Sequence, residues 1–495
     1  MSVTPDTAAP TGRNKPAQGK ERSDAALGHA SQNPSSPQGA KELPHGWKHV
    51  RLGDIAQTTS GGTPRRDKPQ YYGGTIPWVK SGELGDRVVY ETSETLSDEG
   101  LTSSNAKVFP KGTLCIALYG ATVGKLGILG VDAATNQAVC AIFPPEGLDT
   151  RYLYRFFEGK RRELIEQGKG GAQSNISQGI IRDTMFPLPP LPEQRRIVAE
   201  IEKQFTRLEA GVAALRRVQA NLKRYRAAVL KAAGEGRLVP TEAALARSPR
   251  STKNGPPAYE TGAALLARIL TERRKNWQGR GQYKEPAAPE PLADVELPEG
   301  WTWATMPQLG ELNRGKSKHR PRDDARLYDG PYPFIQTGDI RRSGGTIREH
   351  TQTYSEFGLQ QSRLWPQGTL CITIAANIAE TGILKFESCF PDSVVGFTHD
   401  GNPVTTRYVE FFIRTAKEKL AQFAPATAQK NINLDVLQKV AVPLPPLAEQ
   451  TRIVAEVERR LSVVEELESV VSANLQRATR LRQSILQKAF NGELH

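Results

Sequence analysis

Apolar residues recur along this chain with two different periods, and the change of period happens twice. From Ile197 they step by three, four or seven through Ile201, Phe205, Leu208, Val212, Leu215, Leu222, Tyr225 and Val229. From Ile453 they do the same through Val457, Leu461, Val464, Val471, Leu475 and Ile485. That spacing puts the apolar side chains on one stripe of an α-helix. It predicts one helix of roughly 40 residues in each place, about 60 Å long at ~1.5 Å per residue. Each helix is expected to begin where LPPLPEQ or LPPLAEQ ends, with Pro192 and Pro446 just ahead of it. Each contains no proline and stops at glycine, at Gly234 and Gly236 or at Gly492. Ahead of each helix lie short apolar runs bounded by Gly or Pro, such as TIPWV, TLCIAL, QAVCAIF and LCITIA, which read as strands. Two amphipathic segments, Arg151 to Gln167 and Arg407 to Phe423, read as shorter helices. The fold class is α+β.

The chain is also written twice. FPLPPLPEQRRIVAEIEKQF, from Phe186, returns as VPLPPLAEQTRIVAEVERRL, from Val442, with 13 of 20 positions identical at an offset of 256. The same offset relates IPWVKSGEL to YPFIQTGDI, GTLCI to GTLCI, AQSNI to AQKNI and VLKAAGEGRL to ILQKAFNGEL. LPHGW and LPEGW match at an offset of 254. A repeat this long is two pseudo-symmetric domains, not a solenoid. The division that follows is a polar tail (1–42), domain 1 (43–190), a helical region (191–239), an insert or linker (240–296), domain 2 (297–446) and a second helical region (447–495). The tail is rich in Pro, Ser, Ala and Gln and is expected to be disordered. A narrow apolar stripe needs a partner, and the other copy's helix supplies one. The expected seam is Ile197, Ile201, Leu208, Leu215 and Leu222 against Ile453, Val457, Leu461, Val464 and Val471. An antiparallel pairing brings Arg216 and Arg217 to the region of Glu465, Glu466 and Glu468.

Charge sharpens this division. The 495 residues carry a net +13, which favours an anionic partner. Nearly half of that excess, +6, lies in residues 191–239, whereas each mixed domain carries +2 and the second helical region none. No apolar run reaches the ~18–20 residues of a bilayer span, and the opening residues hold no apolar stretch of a secretory leader. A cytoplasmic chain with no membrane partner is the expectation. Four cysteines cannot form a disulfide framework, and Cys115, Cys140, Cys371 and Cys389 are expected as reduced core residues. No His/Cys spacing points to a metal.

The pairing of P-L-P-P-L-x-E-Q with R-I-V-A-E and a long helix, twice, resembles the specificity subunit of type I restriction–modification systems. The L-P-x-G-W openings, the A-Q-x-N-I segments and the insert around ALLARILTERRKNW and YKEP carry the resemblance over residues 43–495. It implies two target recognition domains, each reading one half of a split site in double-stranded DNA. It implies an antiparallel coiled coil that spaces them and docks two modification (methyltransferase) subunits, joined by restriction (translocase/nuclease) subunits. The chain itself is then non-catalytic and binds no cofactor. S-adenosylmethionine, ATP and Mg2+ belong to the partners.

Base reading needs Arg or Lys for guanine and Asn or Gln for adenine, plus phosphate contacts. The loop from Ser60 to Gly74 offers Arg65, Arg66 and Lys68 beside Tyr71 and Tyr72. The matching loop from Asn313 to Gly330 offers Lys316, Lys318, His319, Arg320 and Arg322. Lys80 and Gln336 share a repeat position, as do Glu83 and Asp339, which is the pattern of a specificity position. Arg341 and Arg342 follow closely. Tyr119 and Lys125 lie at a Gly-rich turn, and Asn377 lies in the corresponding turn. Asn175 and Asn431 are expected to cap a helix or turn. GELNRGKS, from Gly310, matches a P-loop, but Pro321 follows instead of a helix. A coiled-coil scaffold without DNA reading, and an ATPase or nuclease built on that motif, are the rival readings.

Overall fold

The computed structural model describes residues 44–168, 175–247, 259–279, 281–290, 296–375, 378–399, 401–422 and 432–494. The expected N-terminal tail, Asn377 and Asn431 lie outside the described residues. Contacts divide the chain into two compact units. One runs up to Val198 and resumes at Gln487; the other is Ala199–Leu486.

In the first unit, Lys48–Arg51 pairs antiparallel with Met185–Leu188, so the entering and leaving segments of domain 1 close on each other. Between them a five-stranded sheet has the order Gln57–Ser60, Val139–Phe143, Leu114–Ala117, Leu126–Leu129, Arg87–Val89. Its last pair is parallel and the rest antiparallel. Leu114–Ala117 is buried at all four positions, which explains its continuous apolar run. A second sheet orders Thr95–Leu96, Tyr72–Val79, Ala133–Thr135, Val108–Phe109. The helix Thr150–Gln167 starts where the Asp149 carboxylate accepts the N–H groups of Arg151 and Tyr152. Its buried Tyr152 and Phe156 pack edge-on against Phe490, with ring centroids 5.2 and 5.3 Å away.

Domain 2, in the second unit, repeats the closure and the five-stranded sheet, whereas its second sheet pairs only Tyr328–Phe334 with Gln352–Tyr354. Thr302–Thr305 pairs with Ala441–Leu444, and the five-stranded order is Glu311–Arg314, Val394–Thr398, Leu370–Thr373, Thr381–Leu384, Thr346–Ile347. The helix runs Pro403–Gln422, four residues earlier at its start than the sequence pattern predicted. Repeated hydrogen bonds mark the shared frame: Tyr152 Oη donates to the Pro187 carbonyl and Tyr408 Oη to that of Pro443, both at 2.8 Å. The insert is more than a linker. Its helix Gly262–Lys275 buries Leu265 and Ile269 in the domain 2 core. A Cβ on Gly262 would stand 2.2 Å from the Leu444 carbonyl, so only glycine fits this approach.

The two long helices are Leu191–Gly234 and Leu447–Phe490, each 44 residues. They begin inside the Pro-rich motif, not after it, and Pro192 therefore sits within the first turn of its helix. That is tolerated because first-turn N–H groups have no intrahelical acceptor. Early entry makes the motif's Gln a first-turn residue. Gln194 is fully buried, accepting the Asp149 N–H and donating to the carbonyls of Gly147 and Pro189. Gln450 accepts from Thr405 Oγ1 and donates to the Pro445 carbonyl. Both helices end alike. Gly236 and Gly492 adopt positive φ, and the next N–H, of Arg237 or Glu493, returns to the carbonyl of Ala232 or Lys488.

Within the second unit the helices run antiparallel. Arg226 pairs with Glu465 (3.6 Å) and Glu468 (2.9 Å), whereas Glu209, earlier in its helix, pairs with Arg482, later in the other (3.0 Å). Arg226 makes these bridges in place of the expected Arg216 and Arg217, which are exposed. Leu222, Val464 and Val471 form the helix–helix core, flanked by Leu215 and Leu475. Leu208 is half-buried and Tyr225 is exposed. Ile453, Val457 and Leu461 join the domain 2 core together with Val229, Leu230 and Ala233, so this part of the stripe faces a domain instead of the other helix alone. Ile197 and Ile201 are likewise buried.

Candidate nucleic-acid interface

In domain 1 the loop after Gln57–Ser60 is held by close backbone approach. A Cβ on Gly61 or Gly62 would come within 2.0 or 2.3 Å of Thr135 or Asn105–Ala106 backbone. Arg65 is exposed and pairs with Asp67 at 2.7 Å. Arg66 lies over the rings of Tyr72 and Trp78, 4.7 and 4.9 Å from their centroids, and meets Glu94 at 2.5 Å. Lys80 Nζ reaches the same carboxylate at 2.6 Å. Hydrogen bonds from Arg66 and then Lys80 hold the Glu94 carboxyl below its ordinary pKa. Lys68 and Lys125 are exposed, with no side-chain partner among the described residues. Tyr119 is half-buried and bridges, backbone to backbone, to Asn175.

In domain 2 the basic loop is more tied down than its sequence implied. His319 Nε2 contacts Asp324 at 2.7 Å, Arg320 donates to the carbonyls of Ser317 and His319, and Arg322 pairs with Asp392 at 3.0 Å. The hydrogen bond from Arg326, reinforced by the Arg326 N–H, drives the Asp324 carboxyl well below the usual range. Lys316 and Lys318 remain exposed, with no side-chain partner among the described residues. Arg341 is exposed in the same way, while Arg342 pairs with Asp339 at 2.6 Å. Gln336 donates through Nε2 to Gln352 Oε1.

Some expected roles move. Glu83 and Asp339 hold the frame: each carboxylate caps its own turn, accepting the N–H of Lys80 (2.7 Å) or of Gln336 (2.9 Å). The helix cap expected of Asn175 falls two residues on, where Ser177 accepts the Ile180 N–H, and in domain 2 Asn433 accepts that of Val436. The P-loop-like segment does not form a phosphate cradle. Glu311–Arg314 is a strand, the next helical turn is only Ala325–Leu327, and the N–H groups of Gly315 and Lys316 are spent on the carbonyls of Val394 and Phe390. All four cysteines are buried, and burial pushes their thiols up, that of Cys140 to about 12. Among the described residues no cluster of three or more metal-ligating side chains occurs, and no helix is long and apolar enough to cross a membrane.

Sequence reading passed over Glu94, Gln352, Gln194, Gln450 and the Arg226–Glu465 and Arg482–Glu209 bridges. The bridges were legible, because Arg226/Arg482 and Glu209/Glu465 obey the 256 offset. Glu94 and Gln352 were not, since a two-residue difference between the copies hides their equivalence.

The geometry agrees with comparison to known proteins. The EcoDI type I restriction enzyme specificity subunit of Escherichia coli is 23% identical over 467 residues, spanning 92% of this chain and 90% of that protein. The EcoBI specificity subunit, also of Escherichia coli, is 25% identical over 370 residues, spanning 73% of this chain and 69% of that protein. A solved structure from work on complex assembly and conformational transition of the type I R-M system shares the fold, with a TM-score of 0.62 at 21% identity over 92% of this chain and all of that chain. Residues 44–214 and 298–468, one stretch in each copy, match the type I restriction modification DNA specificity domain, and the chain belongs to that family.

Proposed function

We propose that this chain is the DNA specificity subunit of a type I restriction–modification complex. Each domain reads one half of a bipartite site. The observation that carries this reading is the doubled domain. Two copies share the strand order of their five-stranded sheet yet present different side chains in their loops, which is what two readers of unlike half-sites require. The paired helices supply a stiff element where a flexible linker would let spacing wander. Half-sites must be spaced in register with the ~34–36 Å turn of B-DNA, so stiffness matters.

On this reading the chain is not itself an enzyme. Two modification subunits dock on it and restriction subunits join them, and S-adenosylmethionine, ATP and Mg2+ are bound by those partners in the cytoplasm. Lys68, Lys125, Lys316, Lys318 and Arg341, cations without ion-pair partners among the described residues, are assigned to DNA phosphates. Arg65, Arg66, Arg320, Arg322 and Arg342 must exchange or share their present partners to reach DNA, which favours weak binding by the chain alone. Methylome sequencing of cells with and without the gene tests the function. A bipartite adenine-methylation motif that vanishes with the gene supports it, and an unchanged methylome in a host with active modification subunits rejects it.

A further inference from the structure

The repeat places one pair of polar side chains at the same point of each domain and fills it with different chemistry. In domain 1, Lys80 directly follows the strand Tyr72–Val79 and donates to Glu94 Oε1 at 2.6 Å. In domain 2, Gln336 lies just beyond the strand Tyr328–Phe334 and donates to Gln352. Lys80 and Gln336 are related by the offset of 256. Their partners are related by strand pairing. Ile76 sits opposite Leu96 and Tyr332 opposite Tyr354, so the partner strands are offset by 258. That offset makes Glu94 and Gln352 equivalent. A second contact agrees: Glu83 accepts the Ser93 N–H at 2.7 Å, Asp339 accepts the Thr351 hydroxyl at 3.0 Å, and Ser93 and Thr351 are again 258 apart. The frame is kept and the pair within it is exchanged.

Both pairs reach the surface. The side chains of Lys80 and Glu94 are 29% and 32% exposed, and Gln336 and Gln352 are exposed. In the major groove a G·C pair presents the N7 and O6 acceptors of guanine and the N4 amino donor of cytosine. A lysine beside a carboxylate complements that pattern. An ammonium has three donors, of which Glu94 takes one, and a carboxylate has more acceptor positions than Lys80 and Arg66 fill. Adenine presents an N7 acceptor and an N6 amino donor, which one amide side chain matches.

Resting on the DNA-reading function above, we propose that this pair is a base-reading element of each domain. Lys80 with Glu94 reads a G·C pair in one half-site, and Gln336 with Gln352 reads an A·T pair in the other. The contact within each pair pre-orients both side chains before DNA arrives. Arg66, stacked on Tyr72 and Trp78, fixes Glu94 from its other side.

The test uses the full chain assembled with its modification subunits and a DNA panel carrying each of the four base pairs at every position of both halves. The K80Q/E94Q variant is expected to move the preference at one position of one half from G·C to A·T, by about ten- to hundredfold. The other half and the spacer stay unchanged. Q336K/Q352E is expected to make the reverse exchange in the other half. Because the glutamine pair is exposed, this second variant decides the question even if the first fails to fold. Folded variants that keep the wild-type motif, or that weaken every sequence equally, overturn the pair as a reader. A wild-type complex that recognises no bipartite site instead rejects the function on which the inference rests.

Discussion

Gln194→Ala is expected to loosen the junction between domain 1 and the first turn of its long helix. The side chain is 0% exposed and serves three backbone groups: the Asp149 N–H at 2.8 Å, the Gly147 carbonyl at 3.0 Å and the Pro189 carbonyl at 2.9 Å. Truncation orphans all three, the Pro189 carbonyl in a buried place, Asp149 half-buried and Gly147 exposed. A buried group left unsatisfied costs about 1–3 kcal/mol, and water re-satisfies the outer groups in part, so the variant should lose about 2–4 kcal/mol. Gln450→Ala orphans only the Pro445 carbonyl and the Thr405 hydroxyl, and a hydroxyl rotates to seek another acceptor. Its loss should be smaller, about 1–3 kcal/mol. Urea denaturation gives the ordering. Hydrogen exchange at the Asp149 amide gives the cause, since that amide should lose protection in Gln194→Ala and keep it in Gln450→Ala. Equal urea midpoints for both variants and wild type, with Asp149 still protected, would refute the argument.

Leu222→Asp places an unpaired charge in the helix–helix core and should cost over ~3 kcal/mol, whereas Arg226→Ala removes a partly exposed bridge worth up to about 1 kcal/mol; thermal melting separates the two. Lys316→Ala should weaken DNA binding by the complex evenly across sequences and lower the salt slope by about 1, so a change of motif in a salt titration would contradict a phosphate role. The four thiols should resist a thiol reagent such as DTNB at pH 8 in the native protein and react after unfolding; a fast native thiol would contradict their burial. Hydrogen bonds from Arg459 and Arg460 hold the Glu456 carboxyl at about 2, against an ordinary 4.5. A depressed carboxyl stabilises the fold above its unfolded pKa and loses that contribution as pH falls. Between pH 4.5 and 2, wild type should therefore lose more stability than Glu456→Gln, and parallel pH curves would count against the pairing.

The long helices were legible because a 3.6-residue period sustained for about nine turns has no other reading, and the domains because they are repeated. Local chemistry was less legible. The loop holding Lys316, Lys318, His319, Arg320 and Arg322 reads as five free cations, yet Asp324 and Asp392 neutralise part of it from positions that the charge run does not reveal. Glu83 and Asp339 vary conservatively between copies, like specificity residues, but their carboxylates bind backbone. The first helix's charge excess suggested Arg216 and Arg217 as the bridge, whereas burial beside the seam selects Arg226. Sequence reports which groups are present; which of them are already spent depends on contacts made across the fold.

The bridges between the long helices bear on how such a chain could arise. Glu209 and Arg226 stand on the first helix, and Glu465 and Arg482 stand at the equivalent places on the second. Each helix thus holds both halves of the same lock, in an order that an antiparallel copy of itself satisfies. A chain of half this length, one domain and one helix, would be complementary to its own twin through an isologous contact. Two identical readers would then face an inverted-repeat target. Duplication frees the second domain to diverge while the charges that set the pairing stay in place, and the asymmetric site is reached without rebuilding the interface.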